Sequence, residues 1–75
     1  MDAVFINYDI SKYDEDTDNT YYLTDFICDD TDDVTAANAE GSDYLNYPSG
    51  SSILCLEDKK VYVLKADNSA YVEVG

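Results

Sequence analysis

Ser52-Ile53-Leu54-Cys55-Leu56-Glu57-Asp58-Lys59-Lys60-Val61-Tyr62-Val63-Leu64-Lys65-Ala66-Asp67-Asn68-Ser69-Ala70-Tyr71-Val72-Glu73-Val74 is the stretch on which the fold turns. It holds three short runs rich in β-branched and aromatic residues: Ser52 to Glu57, Val61 to Lys65 and Ala70 to Val74. Asp58-Lys59-Lys60 and Ala66-Asp67-Asn68-Ser69 separate them, and both are polar turn sequences. Runs of this length with such short connections predict an antiparallel meander. Side chains alternate across a strand, so Val72 and Val74 share one face of the last run while Tyr71 and Glu73 share the other. One of those faces packs, and the other meets water or a partner. The first run is apolar on both faces, as in a central or covered strand.

Upstream, Ala3-Val4-Phe5-Ile6-Asn7-Tyr8 and Tyr21-Tyr22-Leu23-Thr24-Asp25-Phe26-Ile27-Cys28 read as two further strands. The acidic Asp14-Glu15-Asp16-Thr17-Asp18-Asn19 between them reads as a solvated loop. Thr31-Asp32-Asp33 resembles a helix start, with a hydroxyl to cap it and acids in its first turn. Gly41 is a stop signal. One short helix near residues 32–40 is the expectation, its span from Val34 to Glu40 rich in alanine. Tyr47-Pro48-Ser49-Gly50-Ser51 turns the chain into the meander. With no repeat and no linker, residues 1–75 are expected to form one acidic, mainly β domain around a small antiparallel sheet.

The totals narrow the function. Seventy-five residues bury only ~60–65% of the surface an unfolded chain exposes, so a partner, metal or disulfide usually contributes to stability at this size. Seventeen acidic residues face four lysines, and the net charge is -13. Such a chain is repelled by nucleic-acid phosphates and anionic membranes, and is drawn to basic surfaces. Val4-Phe5-Ile6 is too short for the apolar core of a signal peptide and no basic region precedes it; no apolar run reaches the ~20 residues of a membrane span. Synthesis in the cytoplasm is the expectation. Cys28 and Cys55 each sit in an apolar run and read as small buried thiols, although one pair could also close a single disulfide.

Catalysis is hard to assemble from this inventory, and the chain is not expected to be an enzyme. Without His the usual base at neutral pH is missing. Without Arg there is no bidentate clamp for phosphate or carboxylate, and three glycines build no phosphate-cradling loop. No cofactor is implied. The alternating carboxylates Asp14, Asp16 and Asp18 resemble the opening of a calcium-binding loop. Yet Asn19 stands where that loop needs Gly, Asp25 stands where it needs a bidentate Glu, and the flanks read as strands. The three are weak metal candidates beside the plainer reading of a solvated loop, and Asp29-Asp30-Thr31-Asp32-Asp33 reads chiefly as helix-start acids. Dense carboxylates also suit an inhibitor that imitates a nucleic-acid backbone in the basic groove of a host enzyme.

The segment Pro48 to Leu64, continued by Ala70-Tyr71-Val72-Glu73-Val74, resembles small virion structural proteins of tailed bacteriophages. There a Pro-Gly-Ser turn leads through a strand, a charged turn and a Val-Tyr strand to an aromatic-x-Glu-Val ending. Tyr71 stands where Trp is usual, and Ile6-Asn7-Tyr8-Asp9-Ile10 matches the Tyr-Asp-rich openings common among them. The likeness covers about a third of the chain well. It implies a small β-domain docked on a capsid or other virion component, as a head-fibre base or decoration protein, often in several copies that associate with one another. Edge strands and outward tyrosines would then supply contact area, with Tyr62, Tyr71 and Glu73 as interface candidates. Self-repulsion at net charge -13 yields one direct expectation: raising sodium chloride from ~0.01 to ~0.2 M, which shortens the screening length from ~30 to ~7 Å, raises the melting temperature. A flat or falling melting temperature in a calorimetric salt series would remove charge repulsion as a stability term.

Overall fold

The structure is a computed structural model and describes residues 1–74. Strands β1 (Asp2–Asp14) and β2 (Asn19–Cys28) form a hairpin. Helix α1 (Thr31–Ala37) and a 3-10 turn (Asp43–Asn46) follow, and then β3 (Ser52–Cys55), β4 (Lys60–Leu64) and β5 (Tyr71–Glu73). The five strands make one sheet in chain order, β1-β2-β3-β4-β5. The C-terminal meander is present as predicted, with β3–β4 and β4–β5 antiparallel. The sheet as a whole is mixed, since β2 and β3 run parallel. Antiparallel neighbours can be joined by a tight turn, but parallel ones need a crossover. Residues 29–51 supply that crossover and lay the helix across one face.

All three hairpin turns use the same local chemistry. An aspartate accepts the N–H of the residue two places on: Asp14 from Asp16 at 3.0 Å, Asp58 from Lys60 at 3.1 Å, Asp67 from Ser69 at 3.0 Å. Each turn also holds one residue in the left-handed region: Asp18 (φ 58°), Lys59 (φ 58°) and Asn68 (φ 59°). Asp and Asn tolerate that conformation, whereas Lys59 adopts it against preference.

The helix is shifted and shorter than expected. Asp30, not Thr31, caps it, accepting from the Asp33 N–H at 3.2 Å. Thr31 instead donates its N–H and hydroxyl to Glu57 at 2.9 and 2.8 Å, tying the helix start to the β3–β4 turn. Those two bonds hold the Glu57 carboxyl below its ordinary value, the backbone N–H contributing most. The helix ends at Ala37, with Asn38 as its C-cap still donating its N–H to the Val34 carbonyl at 3.1 Å, while the Asn38 side chain reaches β5. Its carboxamide accepts the Tyr71 N–H at 2.7 Å and donates to the Tyr71 carbonyl at 3.1 Å, as a neighbouring strand would. Asn68 donates to the carbonyls of Leu45 and Tyr47 at 3.1 and 2.6 Å, and the Tyr71 hydroxyl donates to the Tyr44 carbonyl at 2.6 Å.

The crossover is therefore pinned to β5 and its turn by side chain–backbone bonds. Beneath it lies the core: Phe26, Cys28, Val34, Ala37, Ile53, Cys55, Leu64 and Tyr71, with Tyr44, Leu45, Tyr47 and Tyr62 packed against it. Phe26 meets Tyr44 and Tyr47 edge-on at 5.2 and 5.0 Å. No described helix is long and apolar enough to cross a membrane.

β1 runs well past the expected Ala3–Tyr8. The residues between Asn7, opposite Leu23, and Ser11, opposite Tyr22, bulge out, and pairing then resumes to Asp14. β3 pairs only with Asp25 to Cys28, so the far half of the β1–β2 hairpin projects beyond the sheet as an arm. Replacing Asn38 with Ala strips both partners from Tyr71, which is only 2% exposed. Leaving such groups unsatisfied costs about 1–3 kcal/mol, which urea denaturation will read as a lower midpoint at unchanged slope. A change below ~0.5 kcal/mol would mean that Asn38 does not hold the crossover in place.

Candidate interface

Residues opposite one another across a sheet point to the same side, so the register sorts every strand. Phe26 and Ile53 lie under the helix, as do Cys28 and Cys55, Leu64 and Tyr71. The alternate residues form the other side. One row there runs Ile27, Leu54, Val61, with Val74 joined to it by its N–H to the Val61 carbonyl at 2.9 Å. The next runs Phe5, Asp25, Ser52, Val63, Val72. None of these residues belongs to the core cluster or packs against it. Phe5 is 57% exposed, Leu54 38%, Val72 42% and Val74 62%, while Ile27, Val61 and Val63 are half-buried by their neighbours. The helix-free face is thus largely apolar across β2 to β5, with Phe5 on β1, and is interrupted by Asp25 and Ser52.

Its polar content is small. Asp2 sits at the β1 margin opposite Ile27. Asp25 and Ser52 lie inside the face, joined by the Ser52 hydroxyl donating to Asp25 Oδ1 at 2.7 Å. The edges differ from each other. On β5 the outward N–H and C=O of Tyr71 are occupied by Asn38. β1 has its outer edge open and carries exposed Val4, Tyr8, Ile10 and Tyr13.

No protein family, curated protein or solved structure matches this chain.

The three interface candidates from the sequence all fall on the helix side. Tyr71 is a core residue, and its expected outward position is corrected by the register, which seats it beside Leu64 beneath the crossover. Tyr62 is half-buried opposite Ile53, packs on the core, and donates its hydroxyl to Asp58. That bond, above all, pushes the phenol up to about 12. Glu73 is exposed at the rim and pairs with Lys60 at 2.7 Å, an exposed pair of the kind that contributes little to stability. The expected alternation holds, and the face that carries Tyr71 is the one that packs. Val72 and Val74, the other half of that alternation, lie on the open side.

The three weak metal candidates are not gathered into a coordination set. Asp14 accepts from the Asp16 N–H, and Asp18 accepts from the Tyr13 hydroxyl. Among the described residues no three acidic, Cys or His side chains are grouped to hold a metal ion. An open cleft of about 430 Å³ lies beside this turn, lined by Lys12, Tyr13, Asp14, Glu15, Asp16 and Asn46.

Cys28 and Cys55 are directly opposite on β2 and β3, both free and both buried, at 4% and 0% exposure. Burial, and next the neighbouring Cys55 thiol, push Cys28 up to about 12. A thiol that weak is ionised to roughly one part in ten thousand at pH 8. Iodoacetamide at pH 8 is therefore expected to leave both cysteines unmodified in the native protein and to label both in urea, as read by intact mass. Labelling of the folded protein within minutes would show that the core under the helix opens readily.

Proposed function

We propose that this chain is a structural or accessory protein of a larger assembly, docking through its helix-free sheet face onto another protein. The single observation that carries this reading is the pair of rows, Ile27-Leu54-Val61-Val74 and Phe5-Asp25-Ser52-Val63-Val72, apolar but for Asp25 and Ser52 and left outside the core. A sheet face becomes stable by packing against a second layer, and the described residues cover one of its two. The resemblance of Pro48 to Val74 to small virion proteins of tailed bacteriophages supports one setting: a β-domain on a capsid or similar component, in several copies, made in the host cytoplasm and carried in the virion. No catalytic step and no cofactor forms part of this reading.

Magnitudes bound how such docking works. Five strands ~4.8 Å apart and about four residues long present roughly 24 by 13 Å, or ~300 Å² in plan. At ~25 cal/mol per Å², covering that area contributes ~8 kcal/mol before costs. Association costs of 4–15 kcal/mol consume most of it. Apolar coverage alone thus yields weak binding, and strength must come from many copies or from added polar contacts.

A second reading, the acidic mimic that blocks a nucleic-acid enzyme, draws support from how the acids gather. The Thr31–Glu57 bonds bring Asp29, Asp30, Asp32 and Asp33 beside Glu57 and Asp58 at one end of the sheet. The two readings assign binding to different surfaces. Leu54→Lys places a charge in the apolar rows without touching the core; Asp32→Asn with Asp33→Asn removes charge from the acidic end. Cross-linking the protein to the assembly purified from its native source is the measurement. Docking through the sheet face predicts at least tenfold loss with Leu54→Lys and little change with the Asp pair, a factor worth ~1.4 kcal/mol. The reverse pattern would replace docking by mimicry.

A further inference from the structure

We propose that Asp25 is the specificity contact of the helix-free face, and that the partner it accepts presents an apolar strip carrying one Lys or Arg opposite this carboxylate. The inference rests on the docking reading above and names the chemistry of the partner. Asp25 lies within the face, with Phe5 opposite on β1 and Ser52 opposite on β3. Ser52 holds Oδ1 at 2.7 Å, which fixes the carboxylate's rotamer. Among the described residues Oδ2 receives no hydrogen bond and no lysine is ion-paired with Asp25: the ion pair found is Lys60 with Glu73, on the opposite side of the sheet. A carboxylate covered by a second layer without a cation would lose its water and gain nothing. Covered by a layer with a cation in register, it makes a charge-assisted bond in a water-poor setting.

The same reasoning disfavours a second copy as the occupant. Two copies face to face would enclose two Asp25 carboxylates, neither with an ion-pair partner among the described residues, and would bring together two chains of net charge -13. That field attracts basic surfaces and repels its own kind. Charge complementarity thus selects a basic partner with an apolar contact strip, and Asp25 fixes its register.

Disulfide-closed β-hairpin peptides with one Val/Ile face are the probe, identical except for a central Lys, Gln or Glu on that face. Titration into nitrogen-15-labelled protein is followed by NMR. The expected result is shifts at the amides of Ile27, Leu54 and Val63, with the Lys hairpin binding at least tenfold tighter than Gln and the Glu hairpin weakest. Asp25→Asn keeps the acceptor for Ser52 and so keeps the fold, and it should abolish the preference for Lys; Asp25→Glu should retain part of it. Equal affinity for Lys and Gln hairpins, or indifference to Asp25→Asn, overturns the role of Asp25 while leaving the face as an interface. Concentration-dependent shifts of the same amides without any hairpin establish a second copy as occupant and overturn the inference. Shifts confined to the acidic turns, or none, overturn both the inference and the docking reading beneath it.

Discussion

A five-stranded sheet has two faces, and the described non-strand residues cover one of them. That one-sided cover governs the rest. The crossover of residues 29–51 must close the parallel β2–β3 pair and also roof the core, and it does so with one short helix and one 3-10 turn. Neither is long enough to be stable by itself. What holds them is a set of side chain–backbone bonds from Asn38, Asn68 and Tyr71 into β5 and the crossover. Tyr71 is central to that set: its ring fills the core, its hydroxyl ties the 3-10 turn, and its backbone is gripped by Asn38.

Much of this was legible in the sequence. The β-branched runs and short polar connections of residues 52–74 mark the meander, because local propensity and turn chemistry agree there. The apolar character of both faces of β3 correctly signals its central place. The parallel pairing of β2 and β3 was not legible, because strand direction is set by where the crossover docks and not by the strands. The helix end was misplaced because Asn38 reads as an ordinary helical polar residue until its partner, far along the chain, is known. Which face of β5 packs was left open by the alternation for a related reason. Tyr71 and Val72 are both apolar enough to bury, and only the register with Leu64 decides between them.

Charge and packing divide the surface between them. The acids concentrate at the hairpin tip and at the end where the helix start meets the β3–β4 turn, while the sheet face between them carries few. Such a distribution gives a long-range field for encounter and a short-range apolar surface for contact. Asp25 is the one interior point of that face where the two meet. The sequence offered no mark to separate it from sixteen other acids; its strand, its row and the Ser52 bond separate it.

The unequal borders of the sheet limit what the molecule can build. Open-ended fibres grow when each subunit offers a template at both margins, so that every addition regenerates a sticky end. Here the Asn38 carboxamide occupies the outward N–H and C=O of Tyr71 on β5, while the outer edge of β1 is open. The two margins are thus unequal templates: a strand adding beside Tyr71 must first displace a side chain, while one adding at β1 meets an open ladder.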